Sequence, residues 1–290
     1  MRPRFVHLAI RALSTAFAAS LLLAAVLDVQ MAGGQQPTPI VPSTDRQQSM
    51  LHELTDVQTQ SGIKVDSREQ AAYDAFFRVG PEQLDKKIQM GNEFLQKYPK
   101  SILAEAVDAG LVTAYFDKQD WKNFYASADN ALALKPDDVD VLTTVGWVIP
   151  HFFNPNDPDA DKRLGKAETF EKHAIQVLEK MPKPNYLSVA QFAALKAQKS
   201  IQAHSALGLV YFRREDYDNS AKELQQATQN NASPDQTDLF VLGASLLNLD
   251  RPAEAADAFD RCSQIAGGLQ DRCKQNAATA KKQAAQSKSK

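Results

Sequence analysis

The feature that most restricts the fold of this chain is a recurring pair of helical segments with small side chains at fixed places. Between residues 66 and 283 the apolar residues follow helical spacing, and Pro, Gly, Asn or Asp separate the helical runs. No stretch of this region alternates as a β-strand does. Four segments align on a frame of 34 residues, starting at Glu105, Val139, Ile201 and Gln236. The chain is therefore predicted to be all-α and built by repetition.

Matching positions of the frame hold matching kinds of residue. The eighth position is mostly glycine: Val112, Gly146, Gly208 and Gly243. The eleventh position is large: Tyr115, Ile149, Tyr211 and Leu246. In the second helix, small residues recur seven apart: Ala167 and Ala174, Ser220 and Ala227, Ala255 and Cys262. In the first repeat the two sizes are exchanged: Phe124 stands where a small residue is expected, and Ala128 stands where a large one is expected. Antiparallel helices approach closely only where small residues lie at the crossing.

The most regular stretches are Leu207-Gly208-Leu209-Val210-Tyr211 and Leu242-Gly243 followed by Ala255, Ala256 and Phe259. This pattern resembles the tetratricopeptide repeat family, which has L-G-x-x-Y, then A-x-x-x-F, then P. The resemblance covers roughly residues 105–268, with a weaker unit over 66–99. It implies an α-solenoid of stacked antiparallel helix pairs over 66–283, and it says little about function.

The first 34 residues have the features of a targeting segment. Arg2, Arg4 and Arg11 precede residues 12–27, which carry no charge. This run is shorter than the ~20 apolar residues that a bilayer span needs, so a signal peptide is favoured over a membrane anchor or a buried helix. Either a signal or an anchor predicts an exported protein, periplasmic or envelope-associated, with membrane contact only through this segment. Residues 35–65 read as a Pro/Gln-rich tether with a short helix.

The two cysteines predict how the repeat array ends. Ten residues separate Cys262 from Cys273, and Gly267 and Gly268 lie at their centre. A turn at the glycines would bring the sulfurs together, and an exported protein meets oxidising conditions, so a disulfide is predicted. Two independent buried thiols are the alternative. The disulfide would hold a C-terminal capping helix over 269–283, followed by a disordered tail over 284–290.

Composition and motifs exclude several functions. The net charge of −2 lacks the basic excess of a nucleic-acid-binding protein. The chain has no phosphate loop, no G-x-S-x-G, no G-x-G-x-x-G and no H-E-x-x-H. The protein is therefore predicted to be no enzyme, to need no cofactor and to bind no nucleic acid.

One sequence segment resembles a calcium-binding loop. The acidic residues with suitable spacing are Asp157, Asp159, Asp161 and Glu168. The loop's sixth position requires Gly for a sharp turn, and here it is Lys162. An Asp-rich turn that caps the next helix is the favoured interpretation, with calcium as the alternative.

The second repeat carries an insertion, and an unusually long helix follows it. The insertion is centred on 150–161 within an irregular region that reaches 166. Residues 186–212 contain no Pro and no Gly before Gly208, so they are predicted to form one helix. We expect Phe152 and Phe153 of the insertion to pack on the extra turns of that helix.

The resemblance also implies a binding surface, since the first helix of each pair lines a concave groove in this family. The residues carried over to groove positions are Thr143, Trp147, His151, Phe212, Arg213 and Phe240. Trp147 is a typical interface anchor; packing beneath the inserted loop is the alternative. We therefore predict a non-catalytic scaffold that binds a protein or peptide partner in this groove. The alternative is a small-molecule or calcium-binding protein that uses residues 150–168.

Overall fold

The computed structural model describes residues 65–229 and 231–287, so the predicted targeting segment and nearly all of the tether lie outside the described residues. Within those ranges the regular elements are all helical. The α-helices are α1 (Ser67–Arg78), α2 (Leu84–Lys97), α3 (Ala104–Asp117), α4 (Trp121–Leu134), α5 (Val139–His151), α6 (Ala160–Lys180), α7 (Val189–Arg213), α8 (Tyr217–Thr228), α9 (Gln236–Asn248), α10 (Pro252–Ser263) and α11 (Gln270–Ser287). None of these described helices is both long and apolar enough to cross a membrane. The predicted all-α class is confirmed.

The described residues form two compact units. The N-terminal unit comprises residues 65–146 and 169–200, and the C-terminal unit comprises residues 147–168 and 201–287. In the N-terminal unit α1 packs on α2, α2 on α3 and α3 on α4. In the C-terminal unit α8 packs on α9, α9 on α10 and α10 on α11. Each unit is thus a stack of neighbouring helix pairs of the α-solenoid type.

The turn inside a helix pair repeats in atomic detail. The turns α3–α4, α7–α8 and α9–α10 each contain one residue with positive φ: Gln119 at 57°, Glu215 at 60° and Asp250 at 55°. In each turn the next backbone N–H donates, over 2.9 Å, to the carbonyl of the frame's eleventh residue: Asp120 to Tyr115, Asp216 to Tyr211 and Arg251 to Leu246. This is the Schellman arrangement that ends a helix. The frame aligned from sequence therefore coincides with the structural repeat.

Glycine at the eighth position allows the two helices of a pair to touch. A Cβ atom added to Gly208 would lie 2.4 Å from Cγ of Leu224. One added to Gly243 would lie 2.7 Å from Cζ of Phe259. Both distances are far inside normal van der Waals contact, so any larger residue requires the helices to separate. The predicted packing at these crossings is confirmed.

The irregular region is shorter than predicted, and the predicted long helix over 186–212 is present as α7. Helix α6 already begins at Ala160, so the prediction of non-helical chain through residue 166 is wrong. Helix α7 has 25 residues and is about 37 Å long at ~1.5 Å per residue. It begins after Ser188, because Ser188 Oγ accepts a hydrogen bond from Gln191 N and Gln191 Oε1 accepts one from Ser188 N. This reciprocal capping box fixes the helix start.

Helix α11 closes the C-terminal unit. A disulfide joins Cys262 of α10 to Cys273 of α11, with 5.7 Å between their Cα atoms. Ala277 and Ala280 continue the buried face of α11 beyond the disulfide. The helix runs to Ser287, so residues 284–287 are helical and the predicted disordered tail began too early.

Candidate functional site

The predicted groove residues fall into two environments. Thr143, Phe212 and Phe240 are buried. Thr143 Oγ1 donates to the Val139 carbonyl over 2.8 Å, which ties the hydroxyl to its own helix. These three side chains therefore pack in the interior of their units. His151 and Arg213 retain accessible surface.

Trp147 and His151 form one stacked pair on the last turn of α5. Their ring centroids lie 3.7 Å apart with an interplanar angle of 24°, and Trp147 is 8% exposed. His151 Nδ1 lies 2.7 Å from the Trp147 carbonyl oxygen. Because a carbonyl only accepts, Nδ1 carries the hydrogen and Nε2 is left as an acceptor.

The charge state of His151 is set by its surroundings. Burial lowers the pKa of His151 to about 4, against the opposing effects of the nearby Asp235 carboxylate and the Trp147 hydrogen bond. The Arg213 guanidinium lowers it further. The imidazole is therefore neutral at pH 7 and does not serve as a cation for binding.

Arg213, the last residue of α7, lies beside the inserted segment. Its guanidinium carbon is 5.5 Å from the ring centroid of Phe153, within range of a cation–π interaction. The inserted segment therefore contacts the long helix at its final residue, and this contact does not bear out the predicted packing of Phe152 and Phe153 on the extra turns before Ile201. Phe152 is 39% exposed, an unusual exposure for a large apolar side chain in this protein. Burial lowers the pKa of Arg213 to about 10, so the guanidinium is charged but poorly hydrated.

Two acids lie at the start of α9, and the charge of one of them, Asp235, acts on His151. Asp235 caps the helix and accepts hydrogen bonds from the backbone N–H groups of Thr237 and Asp238. Asp238 is buried and accepts a hydrogen bond of 2.8 Å from Ser205 Oγ. Burial raises the pKa of Asp238 well above its usual range, and the Asp235 charge raises it further, against the Ser205 hydrogen bond. Both acids are thus committed to contacts inside the C-terminal unit.

A second polar cluster, absent from the sequence predictions, lies in the N-terminal unit. Glu171 of α6 is 0% exposed and contacts α5 at Gly146, where an added Cβ would lie 2.3 Å from Glu171 Oε1. Neither carboxylate oxygen of Glu171 has a hydrogen-bond partner among the described residues. Lys199 of α7 is also buried, and its Nζ lies 2.5 Å from Asp140 Oδ1. Burial raises the pKa of Glu171 well above its usual range, and the Lys199 charge opposes this shift.

The repeat frame explains where Glu171 lies. It follows the small residue Ala167 by four positions, as Leu224 follows Ser220 and Phe259 follows Ala255 in the other repeats. The second repeat therefore carries a carboxyl where its neighbours carry a large apolar side chain. An alignment of that position across the repeats would have identified Glu171 from sequence.

The carboxylates predicted as calcium ligands do not come together. Asp157 pairs with Arg163 at 2.9 Å, and Arg214 lies 3.3 Å from Asp161 and 2.6 Å from Glu168. Asp159 is exposed. Within residues 65–229 and 231–287, no three His, Cys, Asp or Glu side chains form a group able to hold a metal ion. Arginine side chains occupy the places where a cation would be needed, so the predicted ligand set does not form here. Calcium binding itself stays a question for calorimetry.

Comparison with known proteins adds little to this description. No protein-family model matches the chain, and no curated protein matches it. Among solved structures it is similar to a tetratricopeptide repeat protein from Parabacteroides merdae, with 13% identity and a TM-score of 0.26. That match covers 72% of this chain and 99% of the other. A similarity this weak supports no conclusion about function.

Proposed function

We propose that this protein is a non-catalytic, exported helical-repeat scaffold that binds a protein or peptide partner. The surface that we assign to the partner, here called the α5–α7 patch, consists of His151, Phe152, Phe153 and Arg213, with the buried Trp147 stacked on His151. All five residues belong to the C-terminal unit. The observation that carries the proposal is the combination of an exposed Phe152 with an arginine held against an aromatic ring.

The chemistry of the patch is that of an interface anchor. Aromatic and arginine side chains contribute most of the binding energy in typical protein interfaces, because they offer large contact areas and several hydrogen-bond donors. The stacked Trp147 and His151 pair holds the end of α5 rigid. A partner that covers Phe152 would remove apolar surface from water without first ordering this part of the chain.

Export is supported by two features of different kinds. The basic start and the uncharged run over 12–27 have the composition of a secretory signal. The disulfide between Cys262 and Cys273 is of a type that persists in oxidising compartments. A fractionation experiment with thiol alkylation tests this part: alkylation of both cysteines in native extracts would contradict it.

Cross-linking and co-purification from native envelopes test the binding proposal. The wild type is compared with Phe152→Ala, which alters an exposed side chain and should leave folding intact, and with Trp147→Ala. A defined partner that is lost in both variants is the expected result. A partner that both variants retain places the binding surface elsewhere. Absence of any reproducible partner would turn attention to a small ligand at residues 150–168.

A further inference from the structure

Within the α5–α7 patch, Arg213 carries a positive charge that no carboxylate of the described residues balances. A guanidinium presents five N–H donors and stays charged at any physiological pH. Around Arg213 the structure shows the Phe153 ring, and no carboxylate of the described residues lies within ion-pair distance of its guanidinium. Its neighbour Arg214, by contrast, contacts both Asp161 and Glu168.

No acid of the described residues forms an ion pair with Arg213. Asp235 Oδ1 accepts two backbone N–H groups at the start of α9, and Asp238 is buried against Ser205. The depressed pKa of Arg213, caused by burial, shows that water compensates the charge incompletely. A half-buried cation without a carboxylate partner is costly to maintain, unless a bound anion completes the site.

We infer that the α5–α7 patch recognises an extended peptide segment through an Asp or Glu side chain that pairs with Arg213, with a neighbouring apolar residue of the peptide on Phe152. This inference rests on the proposed function and names the chemistry of the partner. A carboxylate accepts two parallel N–H donors of a guanidinium, and the contact with the Phe153 ring, 5.5 Å from the guanidinium carbon, leaves those donors for such a partner. The complementary charge supplies specificity, and the apolar contact supplies buried area.

The test uses the full chain and a bead library of random, C-terminally amidated dodecapeptides, in which the only carboxylates are those of Asp and Glu. Peptides selected by the wild type should be rich in acidic residues. Replacement of the critical acid by its amide should weaken binding to the wild type about tenfold or more. The same peptide change should have little effect on Arg213→Gln, because the interaction it removes is already absent there.

Two controls distinguish loss of the Arg213 contact from a general loss of positive charge and from misfolding of the variant. Arg251→Gln removes an equal charge from an exposed residue of the same unit, one that already pairs with Glu254, and it should bind like the wild type. The peptide-side substitution leaves the protein unaltered, so it stays informative even if Arg213→Gln folds poorly.

Four results would overturn the inference. Selected peptides without acidic enrichment, or an acid-to-amide change that weakens binding equally in wild type and Arg213→Gln, would refute the role of Arg213 while leaving peptide binding in place. Selection only from a library with free carboxyl termini would assign the anion to a chain end instead of a side chain. Failure to select any peptide from either library would refute the proposed function together with the inference.

Discussion

The crossing of α7 and α8 offers a quantitative test of the repeat packing. A Cβ atom on Gly208 would lie 2.4 Å from Leu224 Cγ and 2.6 Å from Leu224 Cδ2, and Leu224 is buried and cannot swing into solvent. Overpacking of this kind costs about 1–3 kcal/mol. Replacing Gly by Ala within a helix returns about 1 kcal/mol of propensity. We therefore expect Gly208→Ala to destabilise the protein by about 1 kcal/mol, and Gly208→Leu to unfold this end of the array.

A double-mutant cycle isolates the contact between positions 208 and 224. Leu224→Ala alone should cost about 2–5 kcal/mol, because it leaves a cavity in a packed interior. In the double variant the added methyl group at position 208 enters that cavity without a clash. The two changes should then be non-additive by about 1–3 kcal/mol.

Urea unfolding, monitored by circular dichroism, measures the free energy of unfolding of each variant. The comparison holds if the slope of that free energy against urea concentration is the same in all variants. Gly165→Ala is the matched control, because its added Cβ would lie at an ordinary 3.4 Å from Arg214 Nη2, the nearest atom of the described residues outside its own helix. That variant should be neutral or slightly stabilised. Additive effects at positions 208 and 224, or an unchanged thermal unfolding of Gly208→Leu, would refute the assignment of Gly208 to the helix crossing.

Three further predictions concern other parts of the chain. Burial raises the pKa of Glu171 in the folded protein well above the usual 4.5 of a glutamate, so the wild type should lose stability as pH rises above 4.5. The stability advantage of Glu171→Gln over the wild type in urea unfolding should therefore grow from about pH 4 to about pH 7; a pH-independent difference contradicts the burial. Reducing the bond between Cys262 and Cys273, 11 residues apart, should cost about 3 kcal/mol and speed hydrogen exchange in α11; equal exchange in both redox states contradicts the clamp. After Trp121→Phe, emission from the remaining Trp147 should resist acrylamide quenching, and quenching typical of an exposed indole argues against its packing.

The parts of the fold that sequence predicted are those set by local chemistry. A glycine at a helix crossing allows two helices to approach closely, so Gly208 and Gly243 located the helix pairs. The start of α6 escaped prediction because Asp159 and Asp161 suit a turn and also the first turn of a helix, where acidic residues are favourable.

The parts that sequence missed depend on contacts between distant segments. Phe153 and Arg213 are 60 positions apart, and helical periodicity says nothing about such a pair. Glu171 was missed for a different reason: a carboxyl side chain on a helix ordinarily faces water, and only comparison with Leu224 and Phe259 reveals that its position is internal. The disulfide could be predicted because the sequence has two cysteines with two glycines midway between them, where a turn would bring the sulfurs together.

A photo-activated cross-linking side chain at position 152 tests the central claim, that a partner binds the α5–α7 patch, most directly. Position 134 is the matched control, because Leu134 is another large apolar residue with high exposure, at 59%, and lies in the other unit. We expect one defined adduct from position 152 in native envelopes, absent from position 134 and diminished by Arg213→Gln. No reproducible adduct from position 152, or the same adducts from both positions, would contradict it.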